Sequence, residues 1–194
     1  MPTSQNIAPS DQRPPRAAPR RLPAAIGLAL LLCLPTISII FFYQSANPHL
    51  LSPGDPVPAL TARDLASNEI HRFSFKSSPA AVLFFSADCP HCQRELTNFD
   101  RLSRRFDKNI LFLAISMSNK QKTVELINSD RLEVRTLLDE EGTGREGFGV
   151  DVVPALFLIG TDKTIIYSSS GEKPFAAREQ LLIEFMNLIR STHN

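Results

Sequence analysis

The sequence predicts an α/β domain built on a mixed sheet flanked by helices and preceded by one N-terminal transmembrane helix. Three observations lead to this prediction. Residues 22–43 form an apolar run without a charged side chain. Beyond it, short continuous apolar runs that suit buried strands alternate with segments whose apolar residues recur at helical spacing. Near the C-terminus two apolar runs flank a tight turn, which indicates an antiparallel hairpin at one side of the sheet.

The composition is that of a globular protein with one core of moderate size. The chain has 194 residues, 43% of them hydrophobic and 21% charged, and a formal net charge of +1. Nucleic-acid binding requires a basic face, which a near-neutral charge does not support. We therefore predict no nucleic-acid partner.

The N-terminal segment is predicted to anchor the chain in a membrane. Residues 1–21 carry four arginines against one aspartate and no apolar periodicity, so they are predicted to be a disordered cytoplasmic tail. Residues 22–43 match the roughly 20 residues with which a helix crosses a bilayer. A cleaved signal peptide is the alternative, but its apolar region has about 7–15 residues and ends in small side chains. The run here is longer and ends in FFYQ, which favours an uncleaved anchor. Cys33, inside the run, is interpreted as an apolar side chain.

The distribution of basic residues predicts the orientation of this anchor. Four arginines precede it, and no Lys or Arg follows it until Arg63. By the positive-inside rule, the N-terminus stays in the cytoplasm and the remaining chain crosses the membrane. Residues 44–56 are rich in Pro and Ser and are predicted to be a tether, followed by a folded domain over residues 57–194. Its cysteines would lie where thiols oxidise unless something reduces them.

The first elements of this domain follow from apolar periodicity. Two short extended runs around a Ser-Asn turn predict a hairpin within Val57–Phe75. Continuous apolar runs predict buried strands at Ala80–Phe85 and Ile110–Ser116. A helix is predicted to begin at Pro90. Its apolar face would hold Leu96, Phe99, Leu102 and Phe106.

The second half is predicted in the same way. Lys120–Asn128 has helical character, and Val134–Asp139 is predicted to be a short strand. Ala155–Ser169 is predicted to form a strand, a tight turn and an antiparallel strand. Pro174 would open a last helix. Its inward side chains would be Leu181, Leu182, Phe185, Leu188 and Ile189.

Cys89 and Cys92 lie between the predicted strand and helix, in the segment VLFFSADCPHCQREL. Tetrahedral zinc requires four ligands, and the histidines other than His91 are scattered along the domain, so we predict no metal site. A structural disulfide here would close a very short loop and constrain the unfolded chain little. A redox-active pair explains more of the local sequence.

A helix that begins at Pro90 places Cys89 at the N-cap, where its sulfur faces free backbone N–H groups and the positive helix end. Both stabilise a thiolate. Cys92 would lie deeper in the first turn, positioned to attack a mixed disulfide at Cys89. His91 is predicted to add positive charge or a hydrogen bond to the Cys89 thiolate.

The segment Val82–Leu96 resembles the thioredoxin superfamily, and specifically its membrane-anchored, periplasm-facing TlpA/ResA-like thiol–disulfide proteins. The likeness covers about residues 54–194 and includes FGVDVVPALFLIGTDKTI. It implies a thioredoxin-like fold and a thiol–disulfide oxidoreductase without a cofactor, acting on protein thiols or disulfides. It also implies a place in the inner membrane of a bacterium, with residues 22–43 in the bilayer, the domain outside the cytoplasm and a membrane or periplasmic redox partner.

The resemblance assigns further site residues. Glu95 matches the family's glutamate, and because thioredoxin's buried acid would fall at Leu83, Glu95 is the candidate for proton handling. A solvated helix residue is the alternative. Pro154 matches the family's cis-proline, with an ordinary loop proline as the alternative. A cis bond there would let Val153 present its N–H and C=O to a substrate strand.

Two local features leave the direction of electron flow open. Asp88 replaces the family's Trp, and its charge would disfavour the Cys89 thiolate unless it points to water. The dipeptide Pro90-His91 is that of DsbA-type oxidases, whereas TlpA/ResA-like proteins usually reduce. We expect a reduction potential between about −120 and −270 mV, the values of DsbA and thioredoxin.

Two alternative functions remain at this point. Ser86–Cys89, SADC, is loosely similar to the peroxiredoxin Thr-x-x-Cys, which would suggest a thiol peroxidase. A metallochaperone or non-catalytic binding module on the same fold is the other alternative, although copper chaperones of this fold use a wider cysteine spacing and a distal histidine.

Overall fold

The structure is a computed structural model that describes residues 49–75, 78–106 and 108–191. These residues belong to one compact unit of the chain, residues 47–194. The predicted tail, the predicted anchor and the first part of the predicted tether lie outside the described residues. Within the described ranges, no helix has the length and apolar character to cross a membrane.

The described residues contain one seven-stranded sheet with the order β2-β1-β5-β4-β3-β6-β7. Strands β3, β4 and β5 run parallel to one another, and the remaining pairs are antiparallel. The strands are β1 (Leu60–Asp64), β2 (Ile70–Phe73), β3 (Ala80–Phe85), β4 (Leu111–Ser116), β5 (Thr136–Leu138), β6 (Ala155–Ile159) and β7 (Ile165–Ser170).

Helices cover both faces of the sheet unequally. The described helices are α1 (Pro90–Phe106), α2 (Lys120–Ser129), α3 (Thr143–Gly147) and α4 (Phe175–Ser191). Side chains of α1, α2 and α4 share one apolar cluster with one face of the sheet. Phe148, which follows α3, packs in the cluster on the opposite face, with Leu50 and Leu51 at its margin. The mixed sheet flanked by helices is therefore confirmed.

Strand β3 is the centre of the sheet and leads directly to the cysteines. All six of its side chains are fully buried, as its uninterrupted apolar sequence predicts. Ala81, Leu83 and Phe85 face the cluster of α1, and Ala80, Val82 and Phe84 face the opposite one. The end of β3 is thus held from both sides, which fixes the start of the loop that carries Cys89.

Several element predictions are confirmed and two differ. The first hairpin forms as β1 and β2, with Asn68 at φ 62° in its turn. Leu188 was predicted to point inward, but it is 46% exposed. The buried stripe of α4 runs through Arg178, Leu182 and Phe185, and Leu188 lies off that stripe. Helix α3 was not predicted, because its sequence TGREG has no apolar residue and two glycines.

Residues 49–56, from the predicted tether, lie on the domain. The backbone N–H of Leu51 donates to the carbonyl of Phe148 at 3.2 Å, and that of Gly54 donates to the carbonyl of Ile165 at 2.8 Å. At Gly149, with φ 64°, an added Cβ would lie 2.0 Å from the carbonyl oxygen of His49. This segment therefore packs closely against the loop after α3.

Candidate active site

Cys89 and Cys92 flank the first turn of α1. The carbonyl of Cys89 accepts the first helical hydrogen bond, from the N–H of Gln93 at 3.0 Å, so Cys89 occupies the predicted N-cap position. The backbone N–H of Cys92 donates to Sγ of Cys89 at 3.3 Å. Both cysteines are free thiols, Cys89 half-buried and Cys92 without exposed surface. Cys89 is therefore the accessible sulfur, and a backbone donor already points at it.

The loop before Cys89 is fixed by neighbouring elements. The N–H of Ala87 donates to Oγ of Ser118 at 2.8 Å, and the side-chain amide of Gln93 donates to the carbonyl of Ala87 at 2.8 Å. The Oγ atoms of Ser86 and Ser118 are 3.2 Å apart. The position of Cys89 is thus set by the loop after β4 as well as by its own helix.

The surroundings of Cys92 disfavour its thiolate form. Burial raises the pKa of Cys92 to about 12, and the hydrogen bond and charge of Cys89 and the charge of Glu95 act in the same direction. A backbone hydrogen bond from Ser86 opposes them in part. Cys92 is therefore a thiol at neutral pH and must lose a proton before it can act as a nucleophile.

Glu95 is a buried carboxylate, so the alternative of a solvated helix residue is wrong. Its side chain is 3% exposed and that of Arg178 is 4% exposed. Nε of Arg178 lies 2.5 Å from Oε1 of Glu95, and the backbone N–H of Lys173 donates to Oε2 at 2.9 Å. Both carboxylate oxygens therefore have donors, as a buried charge requires.

Arg178 is a site residue that the sequence reasoning missed. Besides Glu95, it donates to Oγ of Ser169 at 3.0 Å and to the carbonyl of Gly171 at 3.2 Å. It thereby joins α4, β7 and the loop between them to α1. The signal that could have identified it is a charged residue on the apolar stripe of α4.

His91 contacts a carboxylate rather than the Cys89 sulfur. Nδ1 of His91 lies 2.8 Å from Oε2 of Glu172 and 3.0 Å from Nη2 of Arg94. Nε and Nη2 of Arg94 donate to the two oxygens of the same carboxylate at 2.8 and 2.7 Å. Hydrogen bonds from Arg94 and His91 lower the pKa of Glu172 to about 2. The predicted hydrogen bond of His91 to the thiolate is therefore corrected: among the described residues, its partners are Glu172 and Arg94.

Asp88 forms an ion pair instead of pointing only to water. Its Oδ2 lies 2.8 Å from Nζ of Lys122, at the start of α2. Both side chains are well exposed, so the pair is worth little in stability, but the cation offsets the charge beside Cys89.

The segment Val153–Pro154 lies on the other side of an open groove. The peptide bond between the two residues is cis, as the resemblance implied. The carbonyl of Pro154 accepts from the N–H of Gly171 at 2.7 Å, whereas no other described residue hydrogen-bonds to the N–H or C=O of Val153. The groove has a volume of about 600 Å³ and is lined by His91, Val153, Pro154 and residues 171–174.

Two observations concern the alternative sites. Within the ranges that the structure covers, no group of three or more His, Cys, Asp or Glu side chains could hold a metal ion. The hydroxyl of Ser86, which a peroxidase reading would place at the cysteine, is paired with the hydroxyl of Ser118.

Comparisons with known proteins agree with this geometry. The model of the AhpC/TSA family matches residues 53–168. The thiol-disulfide oxidoreductase ResA of Bacillus thuringiensis subsp. konkukian is 22% identical over 163 residues, which are 83% of this chain and 92% of that protein.

Solved structures show the same fold. A Chlorobium tepidum protein, described provisionally as a thiol:disulfide interchange protein DsbE, has a TM-score of 0.64 and 18% identity over 70% of this chain and 99% of its own. The peroxidoxin BcpB of Mycobacterium tuberculosis has a TM-score of 0.59 and 22% identity over 73% of this chain and 97% of its own. The described domain is therefore thioredoxin-like.

Proposed function

Because the chain belongs to the AhpC/TSA family, we propose that it is a thiol–disulfide oxidoreductase whose Cys89–Cys92 pair exchanges disulfides with protein substrates. The observation that carries this proposal is the pairing of an accessible sulfur with a buried one. Sγ of Cys89 accepts the backbone N–H of Cys92 at 3.3 Å, while Cys92 itself has no exposed surface. An enzyme of this class requires that asymmetry. One sulfur must form a mixed disulfide with the substrate, and the other must attack that mixed disulfide to release the substrate.

The exchange transfers two electrons and can run in either direction. When the reduced pair acts, the Cys89 thiolate attacks a substrate disulfide, forms a mixed disulfide and releases one substrate thiolate. Cys92 then loses its proton to the released thiolate and attacks Sγ of Cys89. The second substrate sulfur leaves, and the pair becomes a Cys89–Cys92 disulfide while the substrate gains two electrons. Oxidation of a substrate dithiol is the reverse sequence.

The surroundings of Cys92 support the role of resolving thiol. Its raised pKa keeps it protonated until a mixed disulfide has formed at Cys89. Glu95 adds a negative charge held in place by Arg178, which disfavours a second negative charge nearby. In this proposal Glu95 acts as a fixed charge and a support for the loop after β7.

The groove beside the cysteines is the proposed substrate-binding site. The N–H and C=O of Val153 are without partners among the described residues, and they border the groove that also contacts His91. An extended substrate segment could pair with this backbone as an added strand, which places its cysteine near Cys89.

The proposal places the enzyme outside the cytoplasm of a bacterium, held by residues 22–43. Support comes from the sequence: an uncharged apolar run of spanning length, with the arginines before it. Each exchange changes the oxidation state of the Cys89–Cys92 pair, so the pair would require a redox partner in the membrane or the periplasm that restores it. Alkaline phosphatase fused after residue 60 should be active, because the proposal places this point of the chain outside the cytoplasm. A reporter fused at the same point that is active only in the cytoplasm would contradict this placement.

The activity is tested with insulin as a protein disulfide substrate. The full-length chain, purified in detergent with Cys33→Ser, should accelerate the reduction of insulin by dithiothreitol. Cys92→Ser should form a stable mixed disulfide with insulin, and Cys89→Ser should form none. Trapping by Cys89→Ser alone would invert the roles, and no trapping by either variant would refute the proposed activity.

A thiol peroxidase is the second candidate, favoured by the structural likeness to a peroxidoxin. The engagement of the Ser86 hydroxyl by Ser118 argues against it. The reduced protein would be a peroxidase if it consumed hydrogen peroxide faster than it reduced insulin and if the Cys92→Ser variant kept this peroxide consumption.

A further inference from the structure

One acidic side chain binds both basic groups on the first two turns of α1. Oε2 of Glu172 lies 2.8 Å from Nδ1 of His91, and the two carboxylate oxygens accept from Nε and Nη2 of Arg94 at 2.8 and 2.7 Å. These are the basic residues that follow Cys89 most closely in the chain. The hydrogen bond to Glu172 and, after it, the charges of Glu172 and Cys89 raise the pKa of Arg94.

The carboxylate of Glu172 is positioned by the fold rather than by chance at the surface. The residue before it, Gly171, donates to the carbonyl of Pro154 at 2.7 Å and accepts from Arg178 at 3.2 Å. The residue after it, Lys173, donates to Glu95 at 2.9 Å. Both neighbours of Glu172 are thus bound to buried residues, and the side chain of Glu172 is only 26% exposed.

The charges around the cysteine pair come from several parts of the fold. Helix α1 contributes two basic groups and one buried acid, the loop after β7 contributes one acid and one base, and an ion pair joins the loop before Cys89 to α2. The groups are His91, Arg94, Glu95, Glu172, Lys173 and the pair Asp88–Lys122. Glu95 already has Arg178 as its partner. Glu172 is therefore the acid that binds His91 and offsets the positive charge of Arg94.

We propose that Glu172 is a positioning residue that restrains the oxidising strength of the Cys89–Cys92 pair by binding His91 and Arg94. The inference deepens the proposed function and rests on it. Positive charge near Cys89 stabilises the thiolate, which belongs to the reduced form, and a stabilised reduced form makes the disulfide more oxidising. Glu172 offsets that charge, so it limits how oxidising the Cys89–Cys92 disulfide becomes with the dipeptide Pro90-His91 between the cysteines.

The test is the redox equilibrium of the pair with glutathione. The enzyme disulfide and two molecules of reduced glutathione give the enzyme dithiol and one molecule of glutathione disulfide, so no protein substrate is needed. Glu172→Gln removes one negative charge at pH 7 while Arg94 stays charged. We expect the equilibrium constant toward the reduced enzyme to rise about two- to fivefold, as for partly exposed charge pairs. This corresponds to a potential higher by about 10–20 mV.

The chain offers a matched control on the same helix α1. Glu179 of α4 pairs with Arg105 of α1, eleven residues beyond Arg94 and so about 16 Å farther along the helix. Glu179→Gln also removes one carboxylate from an ion pair with α1, but far from the cysteines. It should leave the equilibrium constant unchanged. Glu172→Asp, which keeps the charge, should stay closer to the wild type than Glu172→Gln.

Two further readouts separate an electrostatic effect from a structural one. The shift caused by Glu172→Gln should shrink at 1 M NaCl, because salt screens charges at the surface. The pH midpoint of Cys89 alkylation by iodoacetamide should also move downward. A shift equal to that of Glu179→Gln, a shift toward a less oxidising pair, or a shift that salt leaves unchanged would overturn the inference. Failure of the wild-type pair to form a disulfide at all would instead refute the proposed function.

Discussion

The buried ion pair between Glu95 and Arg178 gives the sharpest test of how the site is supported. Arg178→Met removes the cation and keeps an apolar side chain of similar length on the buried stripe of α4. It leaves Glu95, 3% exposed, with the single donor from Lys173. It also removes the donors to Ser169 and Gly171. The variant therefore tests two features together: the buried charge of Glu95 and the support of the loop after β7.

The expected loss of stability is large. Removal of one partner from a buried ion pair costs about 3–5 kcal/mol, because the other charge stays buried without compensation. That is a substantial part of the 5–15 kcal/mol typical of a domain. With a urea dependence of about 2 kcal/mol per M, the unfolding midpoint should fall by about 1.5–2.5 M.

The assay is urea unfolding of the full-length chain in detergent, followed by far-ultraviolet circular dichroism, since the chain has no Trp. Arg105→Met serves as the control: it breaks the pair with Glu179, which is more exposed, and should cost at most about 1 kcal/mol. The double variant Glu95→Leu with Arg178→Met removes both charges and should recover most of the loss. A midpoint for Arg178→Met that matches the Arg105 control, or a double variant less stable than Arg178→Met, would refute the reasoning.

Three further predictions concern the sulfur, the backbone and the direction of electron flow. In the reduced protein Cys92 should resist iodoacetamide up to about pH 10, as its raised pKa keeps it a thiol, and peptide mass mapping after alkylation checks this. Gly149→Ala should destabilise the domain by more than Gly142→Ala, measured by urea unfolding: both glycines have positive φ, but only at Gly149 would a Cβ meet the carbonyl of His49. His91→Pro should lower the reduction potential measured against glutathione, and an unchanged potential would show that His91 does not influence the pair.

Much of the redox centre could be predicted because its determinants are local. Pro90 at the start of a helix, an apolar strand before it and two cysteines three positions apart are enough to place Cys89 at the N-cap and Cys92 inside the first turn. The continuous apolar sequence of β3 likewise predicts a buried strand, since a run of only six apolar residues is short for a helix and suits a strand covered on both faces. These inferences need only the geometry of one helix and one strand.

The ionic partners could not be predicted in this way. Glu95 and Arg178 are 83 residues apart, His91 and Glu172 are 81 apart, and Asp88 and Lys122 are 34 apart. Periodicity shows only which face of an element is apolar. It does not show which charged side chain of a distant element will lie within hydrogen-bond distance.

The sequence by itself therefore determined the elements and the position of the reactive sulfurs, while the tertiary structure decided their electrostatic environment. Glu95 illustrates the division, because its spacing from Cys92 is visible in the sequence but its burial depends on where α4 packs. His91 is a second case: its charge is evident from the sequence, whereas its partner is set by the loop after β7. The physical reason is that backbone conformation responds to near neighbours, whereas the effect of a charge depends on every group that the fold brings within a few ångströms of it.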